Sequence, residues 1–178
     1  SYYEAFSAWC QRRYGWTFDR KELVMSNGII PALYEMVEYI CKPDEKVLFL
    51  TPSYAYFKYA ADFSKRGYVC SDLHDEDGYY TIDFDDLAKK AADEKTTLFI
   101  LCNPHNPVGK IWDKETLAHI GELCAKHHVL VLSDEIHCDL TMPGFEYTPF
   151  ASVNETCRDN SITCIAPTKT FNMAGIQT

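Results

Sequence analysis

Apolar positions along the chain follow two spacings. Tyr3, Phe6, Trp9 and Cys10 recur at helical spacing over residues 2–14, and Gly15 stops the run. Residues 29–41 read as a second helix led by Ser26-Asn27-Gly28, with Pro31 in the first turn, where a missing N–H costs little. Residues 53–65, with Tyr56, Phe57 and Tyr59, predict a third helix. Asp83–Asp93 and Asp113–His127 predict two more. The first carries acidic residues in its opening turn, and the second has Asp113 as N-cap. Between these helices the segments 46–51, 67–73, 97–102, 129–133 and 162–166 read as short strands, most of them apolar. Thr97–Cys102 shows no polar alternation, as expected of a strand buried on both faces.

This alternation predicts an α/β fold, a three-layer α/β/α arrangement around a mostly parallel sheet. No repeat, low-complexity tract or interdomain linker interrupts it. In such sheets ligands gather beyond the carboxyl ends of the strands.

Composition changes the picture little. The chain has 178 residues, 47% apolar and 24% charged, which suits one domain with its own core and excludes disorder. No apolar run approaches the roughly 20 residues of a membrane helix, and Ser1-Tyr2-Tyr3-Glu4 opens into helix-like sequence rather than a secretory signal. A formal charge of −9 argues against binding to nucleic acid or to an anionic membrane. The eight cysteines form no Cys-x-x-Cys pair, so reduced, mostly buried thiols in a cytoplasmic protein are expected, and no metal site.

Candidate chemistry clusters at strand ends. Thr51-Pro52-Ser53-Tyr54 follows one strand, and Asn103-Pro104-His105-Asn106-Pro107-Val108-Gly109-Lys110 another. Ser133-Asp134-Glu135-Ile136-His137 and Ala166-Pro167-Thr168-Lys169-Thr170-Phe171-Asn172 end two others. Each alone reads as turn, cap or surface charge. Together, and in this order, they resemble the fold-type I pyridoxal-5′-phosphate (PLP) enzymes, the class I/II aminotransferase superfamily. Members of that family carry Asn-Pro-x-Asn-Pro-x-Gly, then Asp-Glu-x-x, then Ser/Thr-Lys.

The resemblance implies roles. Lys169 would bond covalently to PLP and afterwards move the Cα proton of an amino-acid substrate. Asp134 would pair with the protonated pyridine nitrogen, Asn106 would bond the ring 3-oxygen, and Tyr54 would stack on the ring. Asn103 would shape the turn. The N–H groups of Ile29 and Ile30, beside Gly28, would hold the phosphate at a helix N-terminus, with the Thr168 hydroxyl adding to them.

Three departures from the family pattern stand out. Ala166 replaces a common serine, Gln177 replaces a common phosphate-binding arginine, and His137 replaces the tyrosine typical of aminotransferases. His137 together with Thr168–Gly175 resembles the MalY/PatB subgroup of cystathionine β-lyases and related C–S lyases. The resemblance therefore implies α,β-elimination from L-cystathionine or a related L-cysteine conjugate, giving pyruvate, ammonia and a thiol. His137 would tune the ring oxygen or pack beside it. An aminotransferase is the alternative, and a PLP-sensing domain of a transcriptional regulator is a reading of another class. His74, His105, His119, His127 and His128 show no partner pattern and read as surface or supporting groups.

The resemblance also implies that residues 1–178 are part of a large PLP-binding domain. An N-terminal segment and a C-terminal small domain, which carries the substrate-carboxylate arginine, would lie outside. The full-length protein would be a homodimer, and this piece alone inactive.

Overall fold

A computed structural model describes residues 1–176 of the chain. Helix α1 (Tyr2–Tyr14) begins at a capping box formed by Ser1 and Glu4 and ends at Gly15 in the left-handed conformation. A 3₁₀ turn at Arg20–Glu22 leads to α2 (Ile29–Ile40). The order is then β1 (Lys46–Thr51), α3 (Ala55–Phe63), β2 (Gly67–Glu76), β3 (Tyr79–Ile82), α4 (Phe84–Ala91), β4 (Thr96–Cys102), α5 (Lys114–Lys126) and β5 (Leu130–Asp134). A second 3₁₀ turn (Phe150–Ser152), α6 (Glu155–Asp159), β6 (Ser161–Cys164) and α7 (Pro167–Thr170) complete it.

The six strands form one sheet in the order β3-β2-β1-β4-β5-β6. Every pairing is parallel except the β2–β3 hairpin. One apolar core lies on each face. Leu48, Phe99, Leu101 and Val131 pack against α4 and α5 on one side, and Val47, Phe49, Ile100 and Leu132 against α2 and α3 on the other. The three-layer α/β/α expectation therefore holds.

Several short elements differ from the sequence reading, α7 and the two 3₁₀ turns among them. The strand begun at Gly67 continues to Glu76 and turns back as β3, with the Asp75 carboxylate accepting from the Gly78 N–H at 2.8 Å. The acidic Asp75–Gly78 segment is thus a hairpin turn. The short α6 was not expected; its N-cap Asn154 accepts from the Cys157 N–H at 2.8 Å.

Helix α6 packs tightly on α5. A Cβ added at Gly121 would collide with Cys157 Sγ and lie 3.6 Å from Phe150. Gly121→Ala is therefore expected to destabilise the fold by about 1–3 kcal/mol, and Cys157→Ala to recover part of that loss. Denaturant unfolding of the single and double variants checks this.

Chain order fixes where a ligand can sit. From β1 the chain passes to β2 on one side and later to β4 on the other, so the connections leaving β1 and β4 run in opposite directions, the place where such sheets take ligands.

Candidate active site

Strand β5 delivers Asp134 to the carboxyl edge of the sheet, in register with Cys102 of β4 and Cys164 of β6. Asp134 is only 3% exposed. Among the described residues its side chain accepts one hydrogen bond, from the Ile136 N–H at 3.2 Å. Burial pushes its carboxyl up to about 6, while that N–H and the positive charge of Lys169 work in the opposite direction.

Lys169 lies on the four-residue α7 and is exposed. Its positive charge nonetheless acts to lower both the Asp134 carboxyl and the tendency of His137 to protonate. His137 is half-buried, and burial first, then the Lys169 charge, lowers its tendency to protonate. Tyr54, the N-cap residue of α3, is also half-buried. Burial raises its phenol, and the charges of Tyr56 and then Asp134 add to the effect. Its ring packs on Tyr56 at 5.1 Å between centroids and edge-on to Phe57 at 5.9 Å.

Asn106 lies beyond β4 in a loop closed on itself. The His105 N–H donates to Lys110 O at 2.7 Å, and the Gly109 N–H to His105 O at 2.8 Å. The Asn106 N–H donates to Cys102 Sγ at 3.4 Å. Asn103 is fully buried and ties neighbouring segments: its N–H donates to Asp134 O at 3.0 Å, and its Nδ2 to Thr148 O at 3.0 Å.

The N-terminus of α2 offers free donors. Gly28 precedes it at φ 118°, a conformation side chains disfavour, and no side chain caps the first turn. A cleft of about 430 Å³ has Ser26, Gly28 and Ile29 on one wall and Thr163, Cys164, Ile165 and Ala166 on another. Ile30 follows in the first turn of α2 and is half-buried. Thr168 is half-buried in α7, and Ala166 caps α7 without a side-chain acceptor. Lys169, Asp134, Asn106 and Tyr54 line neither this cleft nor the smaller apolar hollow beside α1. Gln177 lies outside the described residues.

Three residues support the candidate site residues. His105, expected among surface or supporting groups, is a supporting one: it is 2% exposed, and its Nε2–H donates to the Pro52 carbonyl at 2.8 Å. That bond ties the loop bearing Tyr54 to the loop bearing Asn106. Glu135 is fully buried and pushed up to about 7 by burial. It accepts from Ser133 Oγ at 2.8 Å, from the Phe150 N–H at 2.9 Å and from the Tyr147 hydroxyl. It thereby anchors the segment leaving β5. Asp139 bonds to α1 and α7 together. All eight cysteines are free; seven are buried, and Cys70 is half-buried.

The model of the aminotransferase class I and II family matches residues 1–177. The chain belongs to that family. It is 44% identical over 174 residues to the cystathionine beta-lyase PatB of Bacillus subtilis, covering 98% of this chain and 45% of that protein. Among solved structures, the PLP-bound C–S lyase from Staphylococcus hominis superposes with a TM-score of 0.94 at 45% identity, over 99% of this chain and 45% of that one. Cystalysin from Treponema denticola, which contains a pyridoxal 5′-phosphate cofactor, also gives 0.94, at 38% identity, over 97% of this chain and 44% of that one. The chain thus spans about half the length of the relatives it matches.

Proposed function

We propose that the full-length protein is a PLP-dependent C–S β-lyase acting on L-cystathionine or a related L-cysteine conjugate. The observation that carries this reading is Asp134, a nearly buried carboxylate at a strand end with one hydrogen bond among the described residues and the positive charge of Lys169 acting on it. A buried carboxylate with so few donors calls for a cationic partner. The protonated pyridine nitrogen of PLP is one. The residues around it suit the rest of the cofactor: the Tyr54 ring for its face, the Asn106 amide for its 3-oxygen, and the N–H groups of Ile29 and Ile30 after Gly28 for its phosphate. The Thr168 hydroxyl and His137 are candidates for further polar contacts.

When bound, PLP supplies an electron sink for the pair of electrons left at Cα. Lys169 would provide the amine that holds the cofactor and would take the Cα proton of the substrate. Asp134 would keep the ring nitrogen cationic. Burial and the neighbouring Lys169 charge hold His137 neutral, so it can accept or donate one hydrogen bond without adding charge beside Lys169.

The choice of lyase over aminotransferase is supported by His137 in Asp134-Glu135-Ile136-His137 and by the likeness to PatB and the C–S lyases. We further infer that residues 1–178 form part of a large domain completed by other segments, that the protein acts as a cytoplasmic homodimer, and that it takes a small amino-acid substrate rather than nucleic acid. Among the described residues no helix is long and apolar enough to cross a membrane.

Incubating the full-length protein with L-cystathionine tests the reaction. Pyruvate and free thiol should appear together, without any requirement for a keto acid. Keto-acid-dependent amino transfer without thiol release would instead assign an aminotransferase.

A further inference from the structure

Asp139 is the second carboxylate in the segment after β5, and it stands between three elements. Its side chain is 7% exposed although it carries charge. Its Oδ1 pairs with Arg13 Nη2 at 3.3 Å and accepts from the Tyr14 hydroxyl, both at the end of α1. Its Oδ2 accepts from Thr170 Oγ1 at 2.8 Å. Thr170 follows Lys169 directly and ends α7. Asp139 itself lies two residues after His137 and five after Asp134.

We propose that Asp139 is a positioning residue. Through Thr170 it sets where the Lys169 amine stands relative to Asp134 and His137. The inference rests on the lyase reading above and adds a residue that does not touch the cofactor.

The physical case begins with α7. Four residues are far too few to hold a helix in water. Its N-cap Ala166 contributes no side-chain bond, and its backbone bonds, Phe171 N–H to Pro167 O at 2.9 Å and Met173 N–H to Thr168 O at 2.9 Å, are local. They shape the turn but do not orient it against β5. The Asp139–Thr170 bond does, because Asp139 is carried by the chain leaving β5. Hydroxyl-to-carboxylate bonds are stronger and more directional than neutral ones. Arg13 and Tyr14 occupy the other carboxylate oxygen, so Asp139 has little freedom to turn away. A reacting amine displaced by about 1 Å can cost about a hundredfold in rate.

The test uses the cofactor-loaded full-length protein with Thr170→Val and Thr170→Ser. Replacing Asp139 itself would strand Arg13 and risk the fold, whereas Thr170 is a half-buried residue on a short helix. Two readouts matter: steady-state kinetics, and the pH midpoint of the visible band of the lysine-linked cofactor. Thr170→Val should lower kcat about 10- to 100-fold while KM changes less than about threefold. It should also move the midpoint by about half a pH unit or more, because the amine's charged neighbours are then at new distances. Thr170→Ser keeps the hydroxyl and should restore both. A general loss of stability would not move the midpoint. If the wild-type band is present and Thr170→Val keeps the wild-type kcat and midpoint, the positioning role is wrong. If the wild-type protein shows no lysine-linked band, the PLP reading fails, and this inference with it.

Discussion

Lys169→Ala in the full-length protein is expected to lower kcat/KM for C–S cleavage by at least about two to four orders of magnitude. It should also abolish covalent attachment of the cofactor. Two losses combine. The amine that bonds the cofactor disappears, and so does the group that takes the Cα proton. Lys169 is the amine whose charge acts on both Asp134 and His137. Steady-state assays of pyruvate release, with protein-bound cofactor measured alongside, check both losses. Added small amines should recover part of the rate if the missing group is a proton acceptor.

Asp134→Asn is expected to have the second-largest effect, and it acts on both activity and stability. For activity, an amide cannot hold the pyridine nitrogen cationic, and kcat should fall by about a hundredfold or more. For stability the sign follows from linkage. Burial raises the Asp134 carboxyl from 3.8 to about 6. Between those values the folded apoprotein keeps a proton that the unfolded chain has released, so stability falls as pH rises through that window. The whole effect is on the order of 2–3 kcal/mol. Asp134→Asn removes that slope. Glu135, pushed up to about 7 mainly by burial, is present in both proteins; the Asp134 charge is the last of its causes, so most of its contribution, though not all, drops out of the difference. Urea unfolding of apoprotein at several pH values should show wild type losing ground to the variant from about pH 4 to pH 6. A parallel pH profile in the two would show that Asp134 ionises without penalty.

What the sequence revealed and what it hid follow from where each signal resides. Strands β1, β4 and β5 are buried on both faces, so each stands out as an apolar run between turn residues. The strand β2 was expected to stop at Leu73 because His74, Asp75 and Glu76 are exposed hairpin residues with no apolar pattern. The partner β3 is four residues long and only half-covered, too short to show a period. Candidate site residues were legible because the fold places them at strand ends in chain order. Their supports were not. Asp139 is held by Tyr14, 125 residues away, and Glu135 by Tyr147 and Phe150 across a loop. His105 sits in a turn motif, and nothing local signals that its ring reaches the Pro52 carbonyl. Such contacts arise only when distant segments pack.

Borohydride reduction of the full-length protein, followed by digestion and mass mapping, tests the assignment of Lys169 most directly. A single pyridoxyl-modified peptide containing Lys169 is predicted, with the visible band lost in step. Modification at another lysine, or none at all, would contradict it.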